Sequence, residues 1–145
     1  MGRNRRYHAP QQVARASWQL GSMRTLWPGL HARVVRRGIV WVGTLQPTEA
    51  SPEYSVEIAL EDGGLPRVYV RHPAIRDNAP HRFVDTPRKP LCLYWHKEWQ
   101  WDGKKLLAET IVPWTALWLR LYELWLVTGE WYWKESPHRG RKAMS

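Results

Sequence analysis

Cysteine and phenylalanine are scarce in this chain, and its first third contains no acidic residue. Its 145 residues include one cysteine and one phenylalanine, and no acid precedes Glu49. A single cysteine excludes a framework of internal disulfides and suits a reducing compartment, where a thiol stays free. The basic start is followed by no apolar run, so we expect no secretory signal. The longest uncharged apolar stretch, Ile111–Leu119, is too short to span a bilayer. We therefore expect one cytoplasmic domain without a membrane segment.

The formal net charge of +9 is concentrated at one end of the chain. Residues 1–48 hold eight arginines and no acid, whereas the other 97 residues hold 14 basic and 13 acidic side chains. This asymmetry is typical of a solubilising face with a loose arm, or of a docking surface for an acidic partner or nucleic acid. Composition divides the chain into a disordered basic arm (1–10), a folded domain (11–136) and a basic tail (137–145).

Hydrophobic periodicity predicts an antiparallel meander flanked by two helices. The predicted elements are a helix from Gln11 to about Arg24, strands over Ile39–Leu45, Tyr54–Leu60 and Pro66–Arg71, and a helix from Pro113 to Gly129. One face of the first helix carries Val13, Ala16, Ser17 and Leu20. The apolar stripe predicted for the last helix consists of Trp114, Leu117, Trp118, Leu121, Tyr122 and Trp125. Asp62-Gly63-Gly64 supplies the hairpin turn between the last two strands, because glycine adopts positive φ without strain. The order of elements predicts the α+β class.

Cys92 is the residue best placed to carry chemistry. It follows a long irregular segment, residues 72–90, that contains four prolines, and it stands in the short apolar run Leu91–Trp95. Reactive groups are concentrated on loops that a rigid scaffold positions, although a lone cysteine is more often a small buried hydrophobe. The six histidines show no metal-ligand spacing and no phosphate-binding glycine loop is present. We therefore expect neither a metal nor a cofactor.

The order of these motifs resembles that of ubiquitin-conjugating enzymes, from about Val13 to Gly129. It is most similar to the compact bacterial branch encoded beside cyclic-oligonucleotide synthases in antiphage (CBASS) systems. The segments that carry the resemblance are Gly38-Ile39-Val40-Trp41, Ser51-Pro52-Glu53-Tyr54, His72-Pro73, Pro80-His81-Arg82-Phe83, Leu91-Cys92-Leu93-Tyr94, and the stretch from Trp118 through Tyr122-Glu123 to Trp131. The last stretch is the most specific, because long matches with fixed aromatics are rare by chance.

The resemblance implies a ubiquitin-conjugating-like fold over residues 11–136 and an acyl transferase that uses a cysteine thioester. Cys92 would accept a protein C-terminus as a thioester and pass it to an amine or another thiol. A thiolate is a good nucleophile at modest pKa, and its thioester stays reactive toward amines. The implied acyl donor is the C-terminus of a cyclic-oligonucleotide synthase. The resemblance leaves open whether a separate activating enzyme is needed.

One family feature has no counterpart at the matching place. The eukaryotic pattern has His-Pro-Asn about ten residues before the cysteine, with the Asn assigned to the oxyanion. Here His72-Pro73 is followed by Ala74 and lies 20 residues before Cys92, whereas His81 lies 11 residues before it. His81 is therefore the second predicted catalytic residue. His81 or Asn78 could donate to an oxyanion, and a structural role for His81 in the loop is an equal alternative.

Two other functions remain open from the sequence. The first is a non-catalytic binding adaptor of the same fold; the intact Cys92 argues against it and the missing Asn argues for it. The second is a nucleic-acid binder that uses the basic N-terminal third with Trp18, Trp27 and Trp41. Steep salt dependence would favour that function, but the charges do not alternate with aromatics as in a known module.

Overall fold

The fold is α+β, as predicted, and is built on one antiparallel sheet. The computed structural model describes residues 15–95 and 97–132. The four strands lie in the order β1-β2-β3-β4, each antiparallel to the next. Their bounds are β1 Leu30–Val35, β2 Gly38–Leu45, β3 Tyr54–Glu61 and β4 Arg67–His72. The predicted arm (1–10) and tail (137–145) lie outside the described residues.

Strand β1 is the strand that the prediction omitted. It pairs with β2 at the edge of the sheet, and only its first residue, Leu30, is buried. Leu30, Ala32 and Val34 alternate with His31 and Arg33, which is the pattern of a half-buried strand, so the prediction was wrong to omit β1. Beyond Leu30 this face is exposed, with Val34 at 73%. The three predicted strands match β2, β3 and β4. The turn between the last two contains Gly63 at φ 73°, as expected of that glycine.

Helix α1 covers residues 15–26 of the described chain. The start predicted at Gln11, with Val13, lies outside the described residues. The helix buries Gln19 and Met23, whereas Ser17, predicted for the same face as Ala16 and Leu20, is exposed. The Gln19 amide nitrogen donates to the Lys105 carbonyl and its oxygen accepts from the Leu107 amide, both at 2.9 Å. A buried glutamine thus joins α1 to the segment that leads into the last helix.

Helix α2, Ile111–Thr128, begins two residues before the predicted Pro113. Pro113 lies in its first turn, where the missing N–H is not needed. Gly129 ends it in the left-handed conformation, with its amide donating to the Trp125 carbonyl at 2.8 Å. The buried residues are Ile111, Val112, Thr115, Trp118, Leu119, Leu121 and Tyr122. Leu117 is exposed, against the predicted stripe. No helix among the described residues has the length and apolarity to cross a membrane.

The core lies on one face of the sheet. Trp41, Val56, Ile58 and Val68 are almost fully buried and belong to the same hydrophobic cluster as Trp118 of α2. Because side chains alternate along a strand, the neighbours of these residues project from the opposite, outer face. That outer face includes the cross-strand pair Glu57 and Tyr69.

A carboxylate of α2 joins two of the motifs seen in the sequence. Glu123 accepts hydrogen bonds from the Ser51 hydroxyl at 2.9 Å and the Tyr54 hydroxyl at 3.0 Å. Burial, with the nearby carboxylate, raises the pKa of Tyr54 above its ordinary value, so the phenol remains a donor. The Ser51–Tyr54 segment and the Tyr122-Glu123 stretch therefore contact each other directly.

Removing this carboxylate is expected to destabilise the fold. Glu123→Ala should lower the free energy of unfolding by about 2 kcal/mol, because two largely buried hydroxyls lose a charged acceptor. Denaturant titration measures the change. Arg120→Ala is the control: its guanidinium lies 3.5 Å from Glu123 and is half-exposed, so we expect a change within about 0.5 kcal/mol. Equal losses in the two variants would contradict the assignment.

Candidate active site

Cys92 follows a short segment that extends the sheet at its β4 edge. The Leu91 amide donates to the Val68 carbonyl of β4 at 2.9 Å, and the Leu91 side chain is buried. Leu91 forms isolated bridges with both Val68 and Arg82. The Cys92 amide then donates to the His81 carbonyl at 2.8 Å. The backbone that carries the thiol is thus hydrogen-bonded beside the edge of the sheet.

The segment before Cys92 folds back on itself. We call residues 81–92 the site loop. Its two ends meet at the His81–Cys92 hydrogen bond, and the Phe83 amide donates to the Pro90 carbonyl at 2.9 Å. The Arg82 side chain donates to the Lys89 carbonyl at 3.3 Å and the Arg76 carbonyl at 3.1 Å. The long proline-rich segment is therefore an ordered loop next to the thiol.

The Cys92 thiol is free and half-buried. Burial raises its pKa above the ordinary 9.0, and hydrogen bonds from the backbone N–H groups of Tyr94 and Trp95 oppose that rise. Both donors belong to the same 3-10 turn, Leu93–Trp95, which directly follows the cysteine. The sequence analysis did not find these amides, because a three-residue turn has no periodic signal. The resting group at neutral pH is a thiol that has two donors ready for negative charge.

His81 holds two segments through its carbonyl and fills an aromatic pocket with its ring. The carbonyl accepts the Cys92 amide and, at 3.1 Å, the Trp118 indole N–H. The residue has a φ of 58°, which is uncommon outside glycine. The ring stacks on Trp95 with centroids 4.2 Å apart and meets the edge of Trp131 at 5.1 Å. Burial lowers the pKa of His81 to about 4, so its ring is neutral at neutral pH.

The alternative oxyanion donor, Asn78, has a different environment. It is exposed, and none of the hydrogen bonds within the described chain involves it. Trp41 and Trp118 are buried in the core and the Trp27 indole donates to the Ala108 carbonyl at 2.8 Å, so these three tryptophans do not form a stacking platform. Over the described residues there is no group of three potential metal ligands among His, Cys, Asp and Glu side chains.

An α+β fold with a four-stranded antiparallel meander, followed by a cysteine beside the last strand and then a helix, is consistent with an E2-like, that is ubiquitin-conjugating-like, fold. Residues 19–139 match the family model described as type II CBASS E2 protein. The chain therefore belongs to the E2-CBASS family. A search of the curated proteins gives no significant match.

The raised pKa predicts how Cys92 reacts with a small reagent. At pH 7 its alkylation by iodoacetamide should be slower than that of glutathione, because the thiolate is the nucleophile. The rate should keep rising with pH past the ordinary 9.0. Mass spectrometry follows the modification, and Cys92→Ala gives the blank. An inflection well below 9 would mean that the two backbone donors outweigh burial.

The lowered pKa of His81 predicts a loss of stability in acid. The unfolded ring titrates near 6.5 and the folded ring near 4, so the unfolded state binds more protons between these values. The stabilisation that the neutral ring provides is fully present above about pH 6.5 and is lost as the pH drops towards 4. His81→Phe keeps an aromatic ring without a titrating group. The difference in thermal midpoint between pH 7 and 5 should be larger for the wild type, and equal differences would contradict the buried neutral ring.

Proposed function

We propose that Cys92 carries a protein C-terminus as a thioester and transfers it, acting on a cyclic-oligonucleotide synthase within CBASS antiphage defence. The observation that carries the proposal is membership of the type II CBASS E2 family in a chain whose only cysteine is a free, half-buried thiol. The thiol lies on a segment hydrogen-bonded to the sheet and to the site loop. A free thiol suits a reducing cytoplasm, which is the location we propose.

The chemistry requires an activated carbonyl, because nothing in a conjugating domain activates a carboxylate. Cys92 loses its proton to a base or solvent, and the thiolate attacks the carbonyl of the donor C-terminus. The leaving group departs with the electron pair; a thiolate of a separate activating enzyme is one such group. An attacking amine or thiol then forms its own bond to the carbonyl and releases Cys92. The Tyr94 and Trp95 amides favour the anionic sulfur in each step.

His81 is proposed to support the loop and the transition state. Its neutral imidazole retains one N–H that can donate to an oxyanion, and its carbonyl holds the Cys92 amide. The packing of the ring between Trp95 and Trp131 equally supports a purely structural role. Substitution separates these two contributions, because phenylalanine retains the packing and removes the donor.

His81→Ala is expected to slow acyl transfer by about tenfold or more if the ring donates to the oxyanion, without abolishing folding. His81→Phe should then be as slow as His81→Ala although its thermal midpoint stays near that of the wild type. Single-turnover transfer from the preformed thioester measures both. Wild-type rates in His81→Phe would move the oxyanion role to backbone amides or to Asn78.

The alternatives are weaker after the side chains are placed. A nucleic-acid surface would need Trp18, Trp27 and Trp41 together, but only Trp18 is largely exposed, at 70%, while Trp41 is buried and Trp27 is half-buried. A non-catalytic adaptor has no use for a free thiol. It would account for the missing Asn, and it is the outcome that remains if no adduct forms.

The thioester is tested by co-expression with a cyclic-oligonucleotide synthase encoded beside the gene, in the native host so that any activating enzyme is also present. A covalent adduct should appear on non-reducing gels and disappear with thiol or mild hydroxylamine. Cys92→Ala should lose the adduct yet fold normally, because one small half-buried side chain replaces another. Cys92→Ser should give a thiol-resistant oxyester, since an alkoxide is the poorer leaving group. Defence that survives Cys92→Ala, with no adduct, would leave the adaptor function.

A further inference from the structure

The site loop is attached to the outer face of the sheet at one point. Glu57 of β3 and Tyr69 of β4 are cross-strand partners on that face. The Arg88 guanidinium donates to both Glu57 carboxylate oxygens, at 3.0 and 3.1 Å. Its central carbon also lies 3.8 Å from the centre of the Tyr69 ring. Lysine could not reproduce this arrangement, because it lacks the planar guanidinium that donates to both carboxylate oxygens and stacks on the aromatic ring.

This attachment holds the part of the site loop that the backbone bonds do not reach. The ends of the loop are joined by His81–Cys92 and Phe83–Pro90 hydrogen bonds, whereas the tip, residues 84–89, has only a turn between Thr86 and Lys89 within its own backbone. Among the hydrogen bonds of the described chain, those of Arg88 to Glu57 are the ones that connect the tip to the sheet. Lys89, at the end of the tip, also accepts a hydrogen bond from the Arg82 side chain and pairs with Asp77 at 3.5 Å, so the specific role of Arg88 is to join the tip to the sheet.

The contribution is local rather than global. The Arg88 side chain is 53% exposed and that of Glu57 is 18% exposed. Ion pairs near solvent contribute little to the free energy of unfolding. The pKa of Glu57 is lowered mainly by its hydrogen bond to Arg88, so the pair stays charged. We expect the contact to fix the orientation of the tip while the fold remains stable without it.

The tip matters because it forms one wall of a groove next to the cysteine segment. The groove has a volume of about 480 Å³ and lies between the tip and the β3–β4 turn, with Tyr94 and Pro66 also lining it. The Tyr94 hydroxyl donates to the Pro66 carbonyl at 2.8 Å, and Tyr94 is two residues beyond Cys92. Asp62, Asp85 and the apolar side chains of Leu65 and Phe83 line the same groove, so it offers both charge and apolar contact to a peptide.

We propose that Arg88 is a positioning residue for acyl loading: it holds the tip of the site loop so that this groove is preformed for the C-terminal segment of the acyl donor. The inference rests on the proposed thioester function. The donor is the occupant because its last residues have to lie beside the cysteine segment when its carbonyl reaches the thiol. Arg88 touches no reacting atom, so its loss should weaken donor binding and leave the chemistry of Cys92 unchanged.

The test uses the full chain and a synthetic peptide thioester with the C-terminal residues of the synthase. Arg88→Ala should raise the half-saturating peptide concentration about tenfold, with the maximal loading rate and the iodoacetamide rate of Cys92 within about twofold. Arg88→Lys should be intermediate, because it keeps the charge without the fork. The exchange Glu57→Arg with Arg88→Glu should recover part of the loss, which a general charge effect would not do.

The matched control is Arg71→Ala, on the same outer face. Arg71 influences Glu57 through its charge rather than through a hydrogen bond, and we expect near wild-type loading. Equal losses in Arg71→Ala and Arg88→Ala, or no loss in either, would overturn the proposal. Hydrogen exchange of residues 84–89 is a readout independent of loading: it should accelerate in Arg88→Ala only. If the wild type forms no thioester, the proposed function fails, and the exchange measurement still decides whether Arg88 holds the tip.

Discussion

The carbonyl oxygen of His81 is the acceptor on which the arrangement of the site depends. It receives the Cys92 amide and the Trp118 indole N–H, so one atom joins the site loop, the cysteine segment and helix α2. The two donors come from different elements, and the His81 backbone has a positive φ. A histidine in that conformation is strained unless its surroundings hold it. The stack with Trp95 and the edge contact with Trp131 provide those surroundings.

Tryptophan explains how a small domain with many loops is held together. The chain has 11 tryptophans, and each combines a large apolar surface with one N–H donor. Trp118 uses its donor on the site loop, and Trp27 uses its own on the Ala108 carbonyl before α2. These two side chains thus pack with the core and also donate to carbonyls that lie outside the strands and the two α-helices. Gln19 does the same from α1.

The sequence predicts the parts of the fold that have a clear period. Strands β2 to β4 and helix α2 bury one face each, and alternation or helical spacing reveals that face. The edge strand β1 also alternates, but only Leu30 on its apolar face is buried, so the alternation identifies a strand and does not identify a buried face. The predicted helical stripe placed Leu117 inside and omitted Thr115 and Leu119, because the core also receives side chains from the segment before α2.

The sequence predicts which residues belong to the candidate site, but it does not predict the contacts that they make. Cys92 stands out as a single thiol after a long loop, and His81 by its distance from it. That the His81 carbonyl holds Cys92 depends on a backbone conformation that residue identity does not encode. The Arg88–Glu57 contact joins residues 31 positions apart and depends on the register of β3 with β4. Such a contact is visible only once the strands are paired.

The proposed function depends on a thioester at Cys92, and mass spectrometry of the intact adduct tests it most directly. The wild-type protein purified with the synthase should show a species whose mass is the sum of the two chains less one water. Proteolysis should place the linkage on the peptide that contains Cys92, and hydroxylamine should release the free Cys92 thiol together with a synthase whose C-terminal carboxyl is converted to a hydroxamate. An adduct mapped to another residue, or one that persists in Cys92→Ala, would contradict the account.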